Sequence, residues 1–207
     1  MLIFMKNVKK FLDLKSDNKK FHALHYVGGR VYAASWHMMT WLDGDFGKHG
    51  SYDFTTGAEL MDQTSPFPKA VPPVKENSVY AVYSPAELEE LHVFLKGIAA
   101  MSVKKKDALS VQIEWEPVIM AFKVHEPKLQ AQYAASSYMR NHPHDEHERA
   151  CVNVKYLADI VGYFAQRKTE ARIYAPLRVS RQTPILFTAE ETGAVLCQRR
   201  DMTIFKD

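Results

Sequence analysis

One order of short apolar runs occurs three times along this chain: a strand-like run, a helix start, and then three further strand-like runs. Each copy spans about 65 to 75 residues, and a fixed repeat length is typical of folds in which similar units pack side by side. Two helix starts share letters, because Asn7-Val8-Lys9 and Asn153-Val154-Lys155 read alike. The repeated order predicts an α+β fold in which each unit lays one helix on a face of antiparallel strands.

The three helix starts carry recognisable capping signals. Asn7 and Asn153 are predicted N-caps, because an Asn side chain there accepts a hydrogen bond from a free N–H of the first turn. Ser84, with Pro85 at the first helical position and Glu87 three residues after the cap, predicts a capping box. The apolar stripes that follow are Val8, Phe11 and Leu12, then Leu88, Leu91 and Leu95, then Val154, Leu157, Ile160, Val161 and Phe164. We therefore expect three amphipathic helices, the second ending near Gly97.

Two polar segments separate the copies. Residues 62–77 are rich in proline, which can neither continue a helix nor donate to a strand ladder, and residues 138–150 concentrate histidine and charge. Both are predicted connectors. They divide the chain into three expected units, residues 1–75, 76–140 and 141–207. In the first unit, Leu2 to Met5 supplies the leading apolar run and Gly28-Gly29 a hairpin turn.

The last unit carries a family resemblance in its letters. The residues that carry it are Tyr156, Leu157, Asp159, Val161, Pro184, Leu186, Phe187, Arg199, Arg200 and Met202. In these positions the unit resembles the final module of bacterial DNA polymerase III beta sliding clamps, and "ALHYVGGRVYAASWHMMTWLDG" is similar to an early hairpin of that family. The resemblance implies a DNA clamp fold, a ring of about twelve modules with helices inside and sheets outside. Three modules per chain would then require four chains for a closed ring.

The resemblance also implies a function. It predicts a non-enzymatic, cytoplasmic homo-oligomer without a cofactor, which encircles or lies on double-stranded DNA and tethers polymerase-type partners. Phosphate contacts supply such sequence-independent binding, and a formal net charge of +3 permits an anionic partner. The candidate DNA-binding residues are Lys6, Lys9, Lys10, Lys15, Lys19, Lys20, Lys96, Lys104, Lys105, Lys106, Lys155, Arg167 and Lys168. By the same resemblance, an apolar pocket around Leu196, Arg199 and Met202 would hold partner peptides.

The second helix departs from a uniformly basic wall. Glu87, Glu89 and Glu90 crowd its start, where acids are favourable for the helix dipole, and Lys96 is its only basic residue. A clamp-fold interaction module that never touches DNA therefore remains an alternative function. A second alternative is a metal-binding protein or metal-dependent enzyme. Its candidate ligands, all in residues 142–151, are His142, His144, Asp145, Glu146, His147 and Cys151.

Other site classes lack their signatures. The chain contains no G-x-G-x-x-G nucleotide loop and no G-x-S-x-G nucleophile motif. Cys151 and Cys197 are predicted to be buried structural thiols, and Trp36, Trp41 and Trp115 are predicted to pack in the core or on a sheet. No apolar run approaches the roughly 18 to 20 residues of a membrane span.

Overall fold

The computed structural model describes residues 1–60, 67–102, 109–116, 119–126, 129–135, 138–141, 148–176 and 183–199. The helices are α1 (Leu2–Asn7), α2 (Phe67–Ala70), α3 (Pro85–Ala100) and α4 (Val154–Arg167), with two 3-10 helices at Val8–Lys10 and Lys19–His22. The strands are β1 (Ala23–Val27), β2 (Arg30–Ala34), β3 (Met38–Asp43), β4 (Gly50–Asp53), β5 (Tyr80–Tyr83), β6 (Ser110–Trp115), β7 (Met120–Glu126), β8 (Leu129–Ala135), β9 (Tyr138–Arg140), β10 (Glu148–Asn153), β11 (Ala171–Tyr174), β12 (Ile185–Ala189) and β13 (Thr192–Leu196).

The strands form two antiparallel sheets. The larger sheet has the order β4-β1-β2-β3-β13-β12-β11-β5-β9, and the smaller sheet has the order β10-β6-β7-β8. Three meanders of three strands follow the helices in sequence: β1-β2-β3, β6-β7-β8 and β11-β12-β13. The third strands of two meanders, β3 and β13, pair antiparallel with Thr40 opposite Ala194. That pairing joins the meander that follows α1 to the meander that follows α4 in one continuous sheet.

The helices cover one side of this arrangement. α4 packs against both α1 and α3, and one core cluster joins all three helices to residues of both sheets. Phe4, Leu91, Leu157, Ile113 and Phe187 are members of this cluster and are almost entirely buried. We call this the helix side. The strands of the larger sheet alternate between two faces, so their other face, which we call the outer face, carries a second cluster.

The outer cluster contains Tyr32, Met39, Trp41, Tyr174, Leu186 and Val195. Phe67 of α2 and Phe21 of the second 3-10 helix pack onto it, with 6.4 Å between their ring centroids. The segment that carries α2 therefore crosses the outer face of the sheet. Residues 62–77, which the sequence predicts to be a connector, contain α2, and Phe67 of that helix is buried.

Several local predictions also need correction. Leu2 to Met5 is helical rather than a leading strand, and Asn7 ends α1 instead of capping a helix with its side chain. The long run from Arg30 to Leu42 divides into β2 and β3. α3 continues past Gly97 to Ala100. A short apolar run of four residues fits one helical turn as well as a strand, so periodicity alone did not separate the two.

Two capping predictions are confirmed in detail. The Ser84 hydroxyl accepts a hydrogen bond from the Glu87 N–H, and the Glu87 carboxylate accepts one from the Ser84 N–H. Asn153 Oδ1 accepts bonds from the N–H groups of Lys155 and Tyr156. Among the described residues, no helix is both long and apolar enough to cross a bilayer.

Candidate nucleic-acid interface

The first basic group lies at the end of α1. Lys6, Lys9 and Lys10 are all exposed, and they occupy the last turn of α1 and the 3-10 helix that continues it. Phe4 and Val8 are buried in the helix-side core on the same stretch. Burial of these two apolar residues leaves the lysines on the solvent side of the chain.

Asn7 fixes this segment to α4. Its side-chain amide donates to the Ile3 carbonyl at 3.0 Å and to Gln166 Oε1 at 2.9 Å, while its Oδ1 accepts from Lys10 Nζ at 3.0 Å. The residue is only 2% exposed. The sequence predicted a helix cap here, whereas the buried amide bridges two helices and orients one candidate DNA-binding lysine.

A second basic group forms where α3 meets α4. Gly162 of α4 lies directly under the His92 ring of α3, since a Cβ at position 162 would lie 2.5 Å from His92 Nε2. Burial lowers the pKa of His92, Lys10 and Lys96 lower it further, and Asp159 opposes them. Lys10 and Lys96 therefore both lie near enough to His92 to lower its pKa, although they belong to different elements. His92, one helical turn before Lys96, escaped the sequence prediction.

The remaining helix cations are partly engaged. Lys155 Nζ donates to the Ser102 carbonyl at 2.6 Å, just past the end of α3. Arg167 is half-buried, and it lies close enough to Tyr163 to oppose the rise that burial causes in the pKa of that hydroxyl. Lys168 is exposed and ends α4 in the left-handed conformation, with φ of 57°. Of these three residues, Lys168 alone presents an exposed side chain.

Acids occupy the other side of α3. Glu89 and Glu90 are exposed, and Tyr133 of β8 places its hydroxyl 3.5 Å from Glu90 Oε2. Burial, together with Glu90 and Glu87, raises the pKa of Tyr133 to about 12. The helix layer is therefore basic at the α1 and α4 side and acidic where α3 borders β8.

Six other predicted lysines lie away from the helix layer or outside the described residues. Lys15 is exposed in the turn after the first 3-10 helix. Lys19 and Lys20 belong to the second 3-10 helix, whose Phe21 packs on the outer face, so the structure does not join them to the helix layer. Lys104, Lys105 and Lys106 lie outside the described residues, as do His142, His144, Asp145, Glu146 and His147 of the predicted metal segment. In the described ranges no cluster of three metal-ligating side chains occurs.

A cleft opens on the outer face of the larger sheet. This shallow cleft is lined by Pro72, Pro73, Val74, Tyr174, Pro184 and Leu186. A row of cross-strand neighbours runs over the sheet from the cleft to the β2–β3 turn. Each residue of the row is paired with the next, in the order Tyr174, Leu186, Val195 and Met39. Beyond Met39, Trp36 is 61% exposed, with its ring 4.5 Å from the Phe21 ring.

The residues of the predicted partner site do not line this cleft. Leu196 is completely buried in the helix-side core, so it is not accessible to a peptide, and its neighbour Val195 is the residue that faces outward. Arg199 is half-buried and donates its N–H to the Cys151 carbonyl, while Met202 lies outside the described residues. Successive side chains of β13 point to opposite faces of the sheet, so Val195 faces outward while its neighbour Leu196 faces the helix-side core.

The predictions that the tryptophans pack in the core or on a sheet and that the cysteines are buried are each correct in part. Trp41 and Trp115 are buried as predicted, at 4% and 0% exposure, whereas Trp36 is exposed. Cys151 is buried as predicted and Cys197 is exposed. Trp36 lies in a tight turn between two strands, where the alternating pattern that predicted its burial no longer applies.

The arrangement of strands and helices matches known structures. No sequence-family model matches the chain, and no curated protein matches its sequence. The DNA polymerase III subunit beta of Pseudomonas aeruginosa superposes with a TM-score of 0.70 at 12% identity, covering 96% of this chain and 63% of that chain. The Caulobacter crescentus beta sliding clamp gives 0.69 at 15%, covering 97% and 64%. The DNA polymerase III beta chain of Streptococcus pneumoniae gives 0.69 at 10%, covering 97% and 62%.

These likenesses confirm the clamp-like fold that the sequence predicted. The mixed helix and antiparallel-sheet architecture is that of the bacterial sliding clamp. The chain spans a little under two thirds of the length of these structures.

Proposed function

We propose that this chain is a non-catalytic, clamp-like protein that lies on or encircles duplex DNA, with its helix side against the phosphates. The observation that carries the proposal is the helix layer of a clamp fold on which lysines from separate elements converge. Lys10 and Lys96 both lower the pKa of His92, and Lys6 and Lys9 are exposed beside them. A cationic helix surface suits phosphate contacts, which position a protein without reading sequence.

The acids of α3 define where the contact lies. Glu89 and Glu90 would repel phosphates, so the proposed contact centres on α1, α4 and the end of α3 that carries Lys96. Lys155 donates to the Ser102 carbonyl and Arg167 is half-buried, so both contribute less than the exposed lysines. The DNA-binding set proposed from the structure is therefore Lys6, Lys9, Lys10, Lys96 and Lys168.

The proposed unit division follows the clamp resemblance. Residues 1–75, 76–140 and 141–207 would each be one module, and a closed circle of about twelve modules would take four chains. The protein bound to DNA would then be a homo-oligomer.

The outer cleft is the proposed docking site for polymerase-type partners. Its walls of proline, tyrosine and leucine offer an apolar surface, and exposed Trp36 extends that surface along the same face. Clefts lined by apolar and aromatic side chains are favourable for short apolar peptide segments. Val74 is 54% exposed at the cleft, so Val74→Lys should weaken peptide binding without unfolding the chain.

The DNA contact is tested with a charge-removal variant. Fluorescence anisotropy of a labelled random-sequence duplex should show roughly tenfold weaker binding for the Lys9→Gln/Lys10→Gln/Lys96→Gln variant. The matched control is Lys69→Gln/Lys75→Gln, because both residues are exposed and belong to the segment that includes α2 and the outer cleft. Equal binding by the two variants would reject the helix-side contact. Peptide binding without any DNA binding would instead favour the interaction-module alternative.

A further inference from the structure

His92 lies where three elements of the helix side meet. A Cβ at position 162 would lie 2.5 Å from His92 Nε2 and 2.9 Å from its Cε1, so the ring of this α3 residue rests against the backbone of α4. Asn7 binds Gln166 of α4 and accepts a hydrogen bond from Lys10, which holds the segment after α1 on the same helix. Packing therefore fixes the position of the imidazole, which is half-buried and still reaches solvent.

The charged groups that act on His92 come from each of these elements. Lys10 follows α1, Lys96 lies one turn further along α3, and Asp159 lies one turn before Gly162 on α4. Lys10 and Lys96 are exposed, and Asp159 is half-buried. Burial and the two lysines lower the pKa of His92, whereas Asp159 raises it. The imidazole is therefore neutral at neutral pH, and it becomes a third cation beside the two lysines as the pH falls.

Lys10 and Lys96 are also two of the lysines of the proposed DNA contact. A phosphate near both lysines adds negative charge beside His92, and nearby negative charge favours the charged form of histidine. Protonation in turn gives the phosphate another cation, so each event favours the other by the same factor. His25, whose pKa is also lowered, is completely buried against Phe67 on the outer face and has no part in this contact.

We propose that His92 is a further DNA-contact residue of the helix side and that it acts in its protonated form, taking up a proton from solvent as DNA binds. The inference rests on the proposed function, because it needs phosphates at Lys10 and Lys96. The free protein loses the His92 proton at a lower pH than the DNA complex does. Between those two pH values the complex holds more protons than its separated components. The affinity for DNA therefore rises as the pH falls through that interval.

Fluorescence anisotropy with a labelled random-sequence duplex, at constant salt and between about pH 8 and about pH 5.5, tests this pH dependence. Every histidine that gains a charge strengthens binding in general, so the quantity compared is the gain in affinity between the two pH values. We expect this gain to be about fivefold larger for the wild type than for His92→Gln. His49→Gln is the matched control and should behave as the wild type, because His49 is exposed just before β4, at the edge of the larger sheet. Circular dichroism at each pH establishes that the three proteins are folded.

A histidine-selective NMR titration measures the proton on His92 itself. The signal that is missing from His92→Gln identifies the ring, and its titration midpoint should lie at a higher pH with the duplex than without it. An unchanged or lower midpoint in the complex, or an equal gain in affinity for the wild type and His92→Gln, would overturn the proposal. Lysine-dependent binding at the higher pH would in that case leave the proposed function standing. A wild type that binds no duplex at any pH would overturn both.

Discussion

Gly193→Ala should destabilise the joint between β3 and β13 by overpacking. Gly193 pairs with Trp41 across this joint, and a Cβ at position 193 would lie 2.1 Å from Trp41 Cζ2 and 2.3 Å from Cη2. The indole has little room to retreat because Trp41 is 4% exposed and the Arg30 guanidinium lies 5.6 Å from its ring centroid. Overpacking of a close-packed site costs about 1 to 3 kcal/mol. A cost of about 2 kcal/mol lowers Tm by about 4 to 8 °C in a chain of this size.

Thermal unfolding followed by circular dichroism measures this cost. Gly97→Ala is the matched control, because position 97 lies in α3 with no atom within 4 Å of the added Cβ, and alanine there should raise stability by up to about 1 kcal/mol. In a Trp41→Leu background the Gly193→Ala penalty should fall by at least about 1 kcal/mol, since the two residues are in contact. A Gly193→Ala protein as stable as the wild type, or a penalty that is unchanged in the Trp41→Leu background, would show that the Trp41 ring does not exclude a side chain at position 193.

Three further predictions concern the helix layer. Ser84→Ala removes the acceptor of the confirmed capping box and should cost about 1 kcal/mol, measured by urea unfolding. Asn7→Ala removes the buried amide that bridges α1 and α4 and should cost about 1 to 2 kcal/mol, whereas Lys9→Ala, an exposed neighbour, should change stability by less than about 0.5 kcal/mol. The folded protein holds the pKa of His92 below 6.5, so protonation favours the unfolded chain; stability should fall as the pH drops through 6.5 toward the lower folded pKa. His92→Gln should flatten part of that fall, while His25, whose pKa is also lowered, retains its share.

Local rules predicted the parts of the fold that depend on neighbouring residues. The capping box at Ser84 and the cap at Asn153 follow from side chains that reach backbone groups two or three residues away. Apolar periodicity located α3 and α4, and the resemblance of a few residues predicted the clamp-like fold. The division at residues 75 and 140 stays a prediction.

Long-range packing decided the features that the sequence did not reveal. Asn7 has the residue type and position of a cap, yet its amide is bound by Gln166, a residue 159 positions away. β9 lies in a segment that composition marked as a connector, and it is a strand because Tyr80 pairs with Arg140 at the edge of the sheet. The position of His92 against α4 depends on Gly162, which has no side chain and lets α3 pack close to α4. None of these partners is adjacent in sequence.

The salt dependence of duplex DNA binding measures whether the lysines of the helix side contact phosphates. Each phosphate contact contributes a slope of about −0.9 to log Kobs against log salt concentration. We expect a steep linear decline for the wild type, a slope shallower by about three for Lys9→Gln/Lys10→Gln/Lys96→Gln, and an unchanged slope for Lys69→Gln/Lys75→Gln. A wild-type affinity that does not depend on salt, or the same slope in both variants, would contradict the placement of DNA on the helix side.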